Sequence, residues 1–341
     1  NGFKICQEIK IAMKNDFTFC VVGRGSIGTR HIRNLKALSC GNIISFSELS
    51  DPQKDEEYRV KYGVETFCGI DEIRRRKPDA FIIAGPTAMH IKYALIAAEM
   101  GSHIFMEKPI SDSMEGIGRL KNEVFNRRLI FFMANNFRFH PVFRKIKELI
   151  EEERFGRILF ARIQAGQYLP DWHPREDYRK GYSARKELGG GVVLTLQHEI
   201  DYAYWLFGGF KSIKSHVQKI SDMDIDVEDI AAVIIETEKG SVVEIHLDYL
   251  QRPAKRTIQI QGTKGSLDYR VGDSCLKFYH FENQTEETVL DIDGYDNNGM
   301  YAEEMKYFIE CMSGKENTIS GIADGVYVLE ACLKIKDGFK I

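Results

Sequence analysis

The chain of 341 residues has no excess of either charge: 47 basic side chains stand against 50 acidic ones, for a net charge of −3. A protein that grips nucleic acid by its phosphates carries a basic face, so nucleic acid is not an expected partner. The one dense basic run, Arg74-Arg75-Arg76-Lys77, ends a predicted helix just before Pro78, where cations offset the helix dipole. No apolar run is long enough to span a bilayer, and Asn1 to Lys14 lacks the apolar core of a signal peptide. No membrane partner is expected. The seven cysteines form no C-x-x-C pair and their count is odd. That argues against a disulfide framework and against a zinc or other metal site, and it fits a reducing, cytoplasmic setting. Internal repeats and low-complexity stretches are also missing. Asn1–Ala12 reads as a flexible extension ahead of the first strand.

What is present is a long alternation of strand and helix. Apolar runs at Phe17–Val22, Ile43–Phe46, Ala80–Ala84, Ile104–Met106 and Ile130–Ala134 read as strands. Between and after them, 27–38, 52–62, 71–76, 88–100, 114–126 and 141–152 carry helical patterns. Such alternation predicts a parallel, doubly wound sheet. After about Gly156 the pattern changes. Ile158–Gln164, Ala231–Glu236, Ser241–Tyr249, Thr257–Gln261, Ser266–Tyr269 and Leu276–Phe281 alternate apolar and polar residues, as antiparallel strands with one buried face do. Helices are expected at Val192–Phe207, Met300–Ser313 and Ile322–Asp337. The fold class is therefore α/β, a doubly wound Rossmann-type sheet followed by an α+β domain with an open, mostly antiparallel sheet. The expected domains are 1–137 and 138–341. The open sheet face needs a cover, and a second copy in a homodimer or homotetramer is the expected one.

The first strand leads into Gly23-Arg24-Gly25-Ser26-Ile27-Gly28, which opens a helix. In that context the three glycines form a dinucleotide-binding turn. Gly23 permits the turn, Gly25 lets backbone approach a pyrophosphate, and Gly28 lets the helix pack close to the strand. The N–H groups of Ser26, Ile27 and Gly28 would face the phosphates. Glu48 lies about twenty residues on, where an acid bonds the ribose hydroxyls and repels a 2′-phosphate. NAD is the expected cofactor, with NADP the alternative that Ser45 and Ser47 leave open. Pro86, Thr87 and His90, in the turn after the Ala80–Ala84 strand, are further cofactor candidates, and His90 reads otherwise as a helix-surface residue.

Glu107-Lys108-Pro109 closes the next strand, at the carboxyl end where open α/β sheets bind ligand. A lysine there can bond a substrate hydroxyl and the nicotinamide ribose and handle a proton. Later, Gly189-Gly190-Gly191 announces a helix on which His198 shares a face with Thr195, Asp201 and Tyr202. His198 is a candidate general base. Asp201 either orients it or belongs to a salt bridge on the helix surface. The segment before that helix, Tyr168 to Lys180, is rich in aromatics and arginines. Tyr168, Trp172, His173, Tyr178 and Arg179 are therefore candidates to hold a sugar, its carboxylate or its diphosphate.

These motifs, with Asn136-Phe137-Arg138-Phe139-His140-Pro141, Gly262-Thr263-Lys264-Gly265 and Asp324-Gly325, resemble the Gfo/Idh/MocA oxidoreductases over nearly the whole chain. The resemblance implies NAD(P)-dependent oxidation or reduction of a sugar carbon, with Glu107 and Lys108 beside the cofactor and Lys108 and His198 as the active-site pair. Arg138, Thr195 and Glu199 join the expected substrate residues. The family commonly has an aspartate where this chain has Thr195. The Tyr168–Gly191 segment resembles members that build bacterial surface polysaccharides and unusual sugars, so the expected substrate is a sugar or nucleotide sugar. A catalytically weak sensor of the same fold and an imine or biliverdin-type reductase are the alternatives.

Overall fold

The computed structural model describes residues 17–48, 52–172, 174, 176–317 and 319–338. The extension read at Asn1–Ala12 and the candidate His173 lie outside the described residues. The chain divides into two compact units. One runs to Ile110 and adds Glu115–Ala134 and Tyr301–Ile322; the other holds Ser111–Met114, Asn135–Met300 and the chain from Ala323 onward.

The first unit is built on six parallel strands: β1 (Thr18–Val22), β2 (Asn42–Phe46), β3 (Glu65–Phe67), β4 (Ala80–Ile83), β5 (His103–Glu107) and β6 (Phe131–Ala134), in the order β3-β2-β1-β4-β5-β6. Strands β4 and β6 are buried at every residue, and β1, β2 and β5 at all but the first. Helices cover both faces of such a sheet, so its strands read as continuous apolar runs rather than alternating ones. The helices are α1 (Ser26–Ala37), α2 (Pro52–Tyr62), α3 (Ile70–Arg76), α4 (His90–Glu99) and α5 (Ile117–Asn126). In α1 the buried residues Gly28, His31, Ile32 and Leu35 share one face. The strand order reverses between β1 and β4, so the loops after these two strands border the crevice where open α/β sheets take their ligands.

The second unit begins with α6 (Pro141–Glu151) and carries eight strands: β7 (Ile158–Gly166), β8 (Phe210–Gln218), β9 (Ile230–Thr237), β10 (Val242–Asp248), β11 (Lys255–Gly262), β12 (Gly265–Arg270), β13 (Cys275–His280) and β14 (Thr285–Asp291). Their order is β14-β13-β12-β11-β7-β10-β9-β8. Every pair is antiparallel except β7 with β10. Strand β9 alternates buried and outward residues, with Val233 and Ile235 inside and Ile234 outside. One face packs on α7 (Val192–Thr195) and α8 (His198–Phe207). The other is open and presents Ile234 and Val242 among Gln164, Glu244, His246 and Gln259. Two further helices, α9 (Asn298–Met312) and α10 (Ile322–Lys336), close the chain.

Strands β3, β8 and β14 were not expected, and all three are sheet edges. The expected helix over Val192–Phe207 is two helices, because the chain leaves helical geometry at Leu196, with φ −100° and ψ 31°. His198 therefore begins a helix of its own, and the expected alignment with Thr195 on one continuous face does not hold.

Candidate active site

In the first unit the glycine turn is shaped by close packing. Gly23 has φ +99°, and a Cβ on it would lie 2.7 Å from the Ala84 carbonyl oxygen at the end of β4. A Cβ on Gly28 would lie 2.1 Å from the Gly23 oxygen. At Gly25 a Cβ would meet nothing within 4 Å. Gly25 is also the N-cap of α1, with no side chain capping the helix. The turn thus packs tightly on the protein at Gly23 and Gly28 and leaves clear space at Gly25, against the first amides of α1 at Ser26, Ile27 and Gly28. A dinucleotide pyrophosphate fits that cradle. Arg24 turns back into the protein, paired with Asp55 and donating to Ser45 Oγ at 3.2 Å and to the Phe67 carbonyl at 2.9 Å. Ser45 is fully buried.

Glu48 stands just past β2, with Lys92 Nζ 2.8 Å from both carboxylate oxygens. That bond holds the carboxyl below its ordinary range. Pro86 caps the 3₁₀ turn Thr87–Met89, and Thr87 is buried. His90 is not on the helix surface. It is 1% exposed, with Nδ1 2.6 Å from the Pro109 oxygen and Nε2 3.0 Å from the Gly85 oxygen. It ties the β4 loop to the β5 loop through main chain, so its ring is spent inside the protein rather than on a ligand.

The β5 loop is held on both sides of Lys108. Glu107 Oε1 is 2.7 Å from His31 Nε2, and the carbonyl of Pro109 faces His90. The half-buried Lys108 thus sits between two anchored neighbours.

In the second unit His198, half-buried at the start of α8, packs against Phe137 with ring centroids 5.1 Å apart. Asp201 lies in the interior, 1% exposed, and is bound by Arg138. Arg138 Nη2 donates to Oδ1 at 2.7 Å and Nε to Oδ2 at 3.1 Å, while Nη1 reaches Asp324 at 3.0 Å. Two expectations change with this. Arg138, 1% exposed, is an internal anchor and not a group presented to a substrate. Asp201 serves Arg138, not a helix-surface bridge. Glu199, also expected at the substrate, is fully buried and paired with Arg256 at 2.7 Å. Thr195 is buried as well.

The aromatic segment folds as a series of 3₁₀ turns, at Leu169–Asp171, Tyr178–Lys180, Tyr182–Ala184 and Lys186–Leu188. The Arg252 guanidinium lies 3.5 Å from the Tyr168 ring centre and pairs with Asp171. Trp172 donates from Nε1 to the Gln167 oxygen at 3.1 Å and meets Tyr249 edge-on. Tyr178 Oη accepts from the Asp224 amide at 3.4 Å. Arg179 pairs with Asp177 through two bonds of 2.7 and 2.9 Å. Tyr168, Trp172 and Tyr178 stay half-exposed and Arg179 exposed. His31, Arg256 and Asp324 were not anticipated as the partners of Glu107, Glu199 and Arg138.

Comparison with known proteins gives the family. Residues 17–135 match the oxidoreductase family with an NAD-binding Rossmann fold, and residues 143–268 match the GFO/IDH/MocA C-terminal domain. The chain is 26% identical over 330 residues to a myo-inositol 2-dehydrogenase of Thermotoga maritima, spanning 88% of this chain and 90% of that one. Among solved structures it resembles the WlbA dehydrogenase of Bordetella pertussis in complex with NADH and UDP-GlcNAcA. That match has TM-score 0.79 and 20% identity, and covers 95% of this chain and 96% of the other. It also resembles a levoglucosan dehydrogenase in complex with NADH and levoglucosan, with TM-score 0.83 and 21% identity over 95% and 96% of the two chains. The expected fold, family and cofactor are thereby established: this chain belongs to the GFO/IDH/MocA oxidoreductases, with an NAD-binding Rossmann domain at its amino-terminal end.

Proposed function

We propose that this oxidoreductase oxidises or reduces a secondary alcohol or ketone carbon of a sugar or nucleotide sugar. Residues up to 137 would bind the dinucleotide, and 138–341 would hold the substrate and the subunit interface. Bound NAD supplies the two-electron acceptor. The chain's own residues do the rest. The amides of Ser26, Ile27 and Gly28 hold the pyrophosphate across the clear space at Gly25. Glu48 takes the ribose hydroxyls, with Lys92 keeping it ionised. Pro86 and Thr87 line the cofactor from the β4 loop, and Gly23 and Gly28 keep the turn tight. Lys108 donates a hydrogen bond to the substrate hydroxyl oxygen, and the imidazole of His198 takes its proton. Tyr168, Trp172, Tyr178 and Arg179 hold the sugar and any charged group on it.

The observation that carries this reading is the anchoring on either side of Lys108, by His31 at Glu107 and by His90 at Pro109. A lysine that only solvates a surface needs no such support; one that must meet a reacting oxygen does. The relatives named above, a myo-inositol 2-dehydrogenase and a levoglucosan dehydrogenase, support the substrate class. The open sheet face, with Ile234 53% exposed, supports a homodimer or homotetramer.

The test mixes the purified protein with NAD and a panel of inositols, free sugars and nucleotide sugars, and follows nicotinamide absorbance. Turnover with at least one is expected. Lys108→Ala should abolish that turnover and leave NAD affinity nearly intact. Turnover that survives the change would remove Lys108 from the chemistry.

A further inference from the structure

Three ionisable side chains meet inside the first unit: His31 of α1, Glu107 at the end of β5, and Glu304 of α9. His31 and Glu304 are fully buried and Glu107 is 8% exposed. One polar atom from each lies within 4.8 Å of the others. Among the described residues, no hydrogen-bond donor reaches either oxygen of Glu304. The charged groups that face it are Glu107 from β5 and Arg30 from α1, and Arg30 lies 4.2 Å from the Tyr301 ring centre. Two bare carboxylates do not share a dry pocket, because each loses its water and each repels the other. Burial, and then the charge of Glu107, raise the Glu304 carboxyl well above its ordinary range, and Arg30 offsets only part of that.

We propose that Glu304 is a positioning residue: a neutral carboxylic acid that donates its proton in a hydrogen bond to Glu107, so that His31 and Glu304 together fix Glu107 and aim Lys108. His31 then carries its hydrogen on Nε2 and gives it to Glu107 Oε1 at 2.7 Å. Its Nδ1, with no partner among the described residues, is the unprotonated nitrogen. A divalent cation held by the same three side chains would need the opposite arrangement. A ligating Nε2 leaves its hydrogen on Nδ1, and that hydrogen ordinarily goes to an acceptor. The aiming of Lys108 rests on the catalytic role proposed for it above; the proton on Glu304 does not.

Infrared spectra of the full chain at neutral pH read the proton directly. A carbonyl band of a protonated carboxyl is expected in the wild type and should be lost in Glu304→Gln. No such band, or a stoichiometric divalent ion in the purified protein that departs with Glu304→Gln, overturns the proposal. Kinetics read the positioning. Glu304→Gln can still donate to Glu107 and should keep kcat close to wild type. Glu304→Ala should lower kcat by roughly 100-fold, the cost of misplacing a reacting group by about 1 Å, with NAD affinity unchanged. Equal kcat in all three proteins overturns the positioning role. If Glu304→Ala does not fold, Glu304→Asp takes its place, with lowered kcat again the expected result. Should Lys108→Ala keep full turnover, the catalytic assignment fails, and the infrared band still decides whether Glu304 holds a proton.

Discussion

Each unit buries at least one carboxylate close to a second, and the two handle the charge in opposite ways. In the second unit Arg138 spans Asp201 and Asp324, and Asn135 adds a bond of 2.8 Å to Asp201. Burial, with the charge of Asp324, leaves the Asp201 carboxyl above its ordinary range, and the guanidinium offsets only part of that. In the first unit the His31 imidazole serves Glu107 alone, and among the described residues no donor reaches Glu304 beside it. A buried acid stays charged where planar, permanently charged donors match its oxygens. Where the donors fall short, a proton makes up the difference. The same residue types therefore give a fixed ion pair in one place and a titratable group in the other.

The contrast breaks most visibly at Asp201. Asp201→Ala leaves Arg138 buried without its bidentate partner and should cost about 3–5 kcal/mol in a denaturant melt. A loss below about 1 kcal/mol would mean that the pair adds little to stability. Glu228 is an intermediate case, 1% exposed with Lys336 Nζ at 3.5 Å. Burial already raises its carboxyl and Lys336 opposes that. Lys336→Met should cost roughly 1–3 kcal/mol, with the deficit widening as pH rises, because Glu228 then binds its proton more tightly in the folded chain than in the unfolded one.

The next effect is a slope. A carboxyl whose folded-state pKa is raised contributes its full stability below the ordinary glutamate range and loses it as pH rises toward the folded value. Glu304→Gln removes that dependence, so its melting temperature should gain on the wild type steadily from pH 5 to pH 8. A difference that stays flat across this range would place Glu304 with the permanently charged cluster. The smallest change is expected at the surface. Lys92 and Glu48 are both more than one-third exposed, and Lys92→Met should cost under about 1 kcal/mol. The Glu48 carboxyl, now held low by Lys92, should rise toward its ordinary value in an NMR titration.

The parts of the fold that sequence reveals are those that bury the most. The parallel strands are unbroken apolar runs, and β9 and β10 alternate clearly because one face is covered. The edges β3, β8 and β14 are short or largely exposed, so neither pattern develops in them. The glycine turn and the Glu107-Lys108-Pro109 loop are legible because local geometry demands those residue types. The burial of Arg138 is not, since Asp201 and Asp324 are 63 and 186 residues away. His31 and Glu304 escape for the same reason. Each reads as one polar residue in a helical pattern, and only the folded sheet brings α1, β5 and α9 to one point. The break at Leu196 is equally silent, because Val192–Phe207 keeps a helical period across it.

Residues Tyr301–Ile322 return from near the end of the chain to complete the first unit. Phe308 packs against Phe105 and Phe132, the Met133 amide donates to the Ser320 carbonyl, and Asn317 reaches the Phe131 carbonyl. A fragment stopped at residue 135 would therefore lack both a wall of its own hydrophobic interior and Glu304. During synthesis, this unit is begun before the other and completed only after the other's strands have been made. It waits on a ribosome that has already delivered the whole eight-stranded sheet.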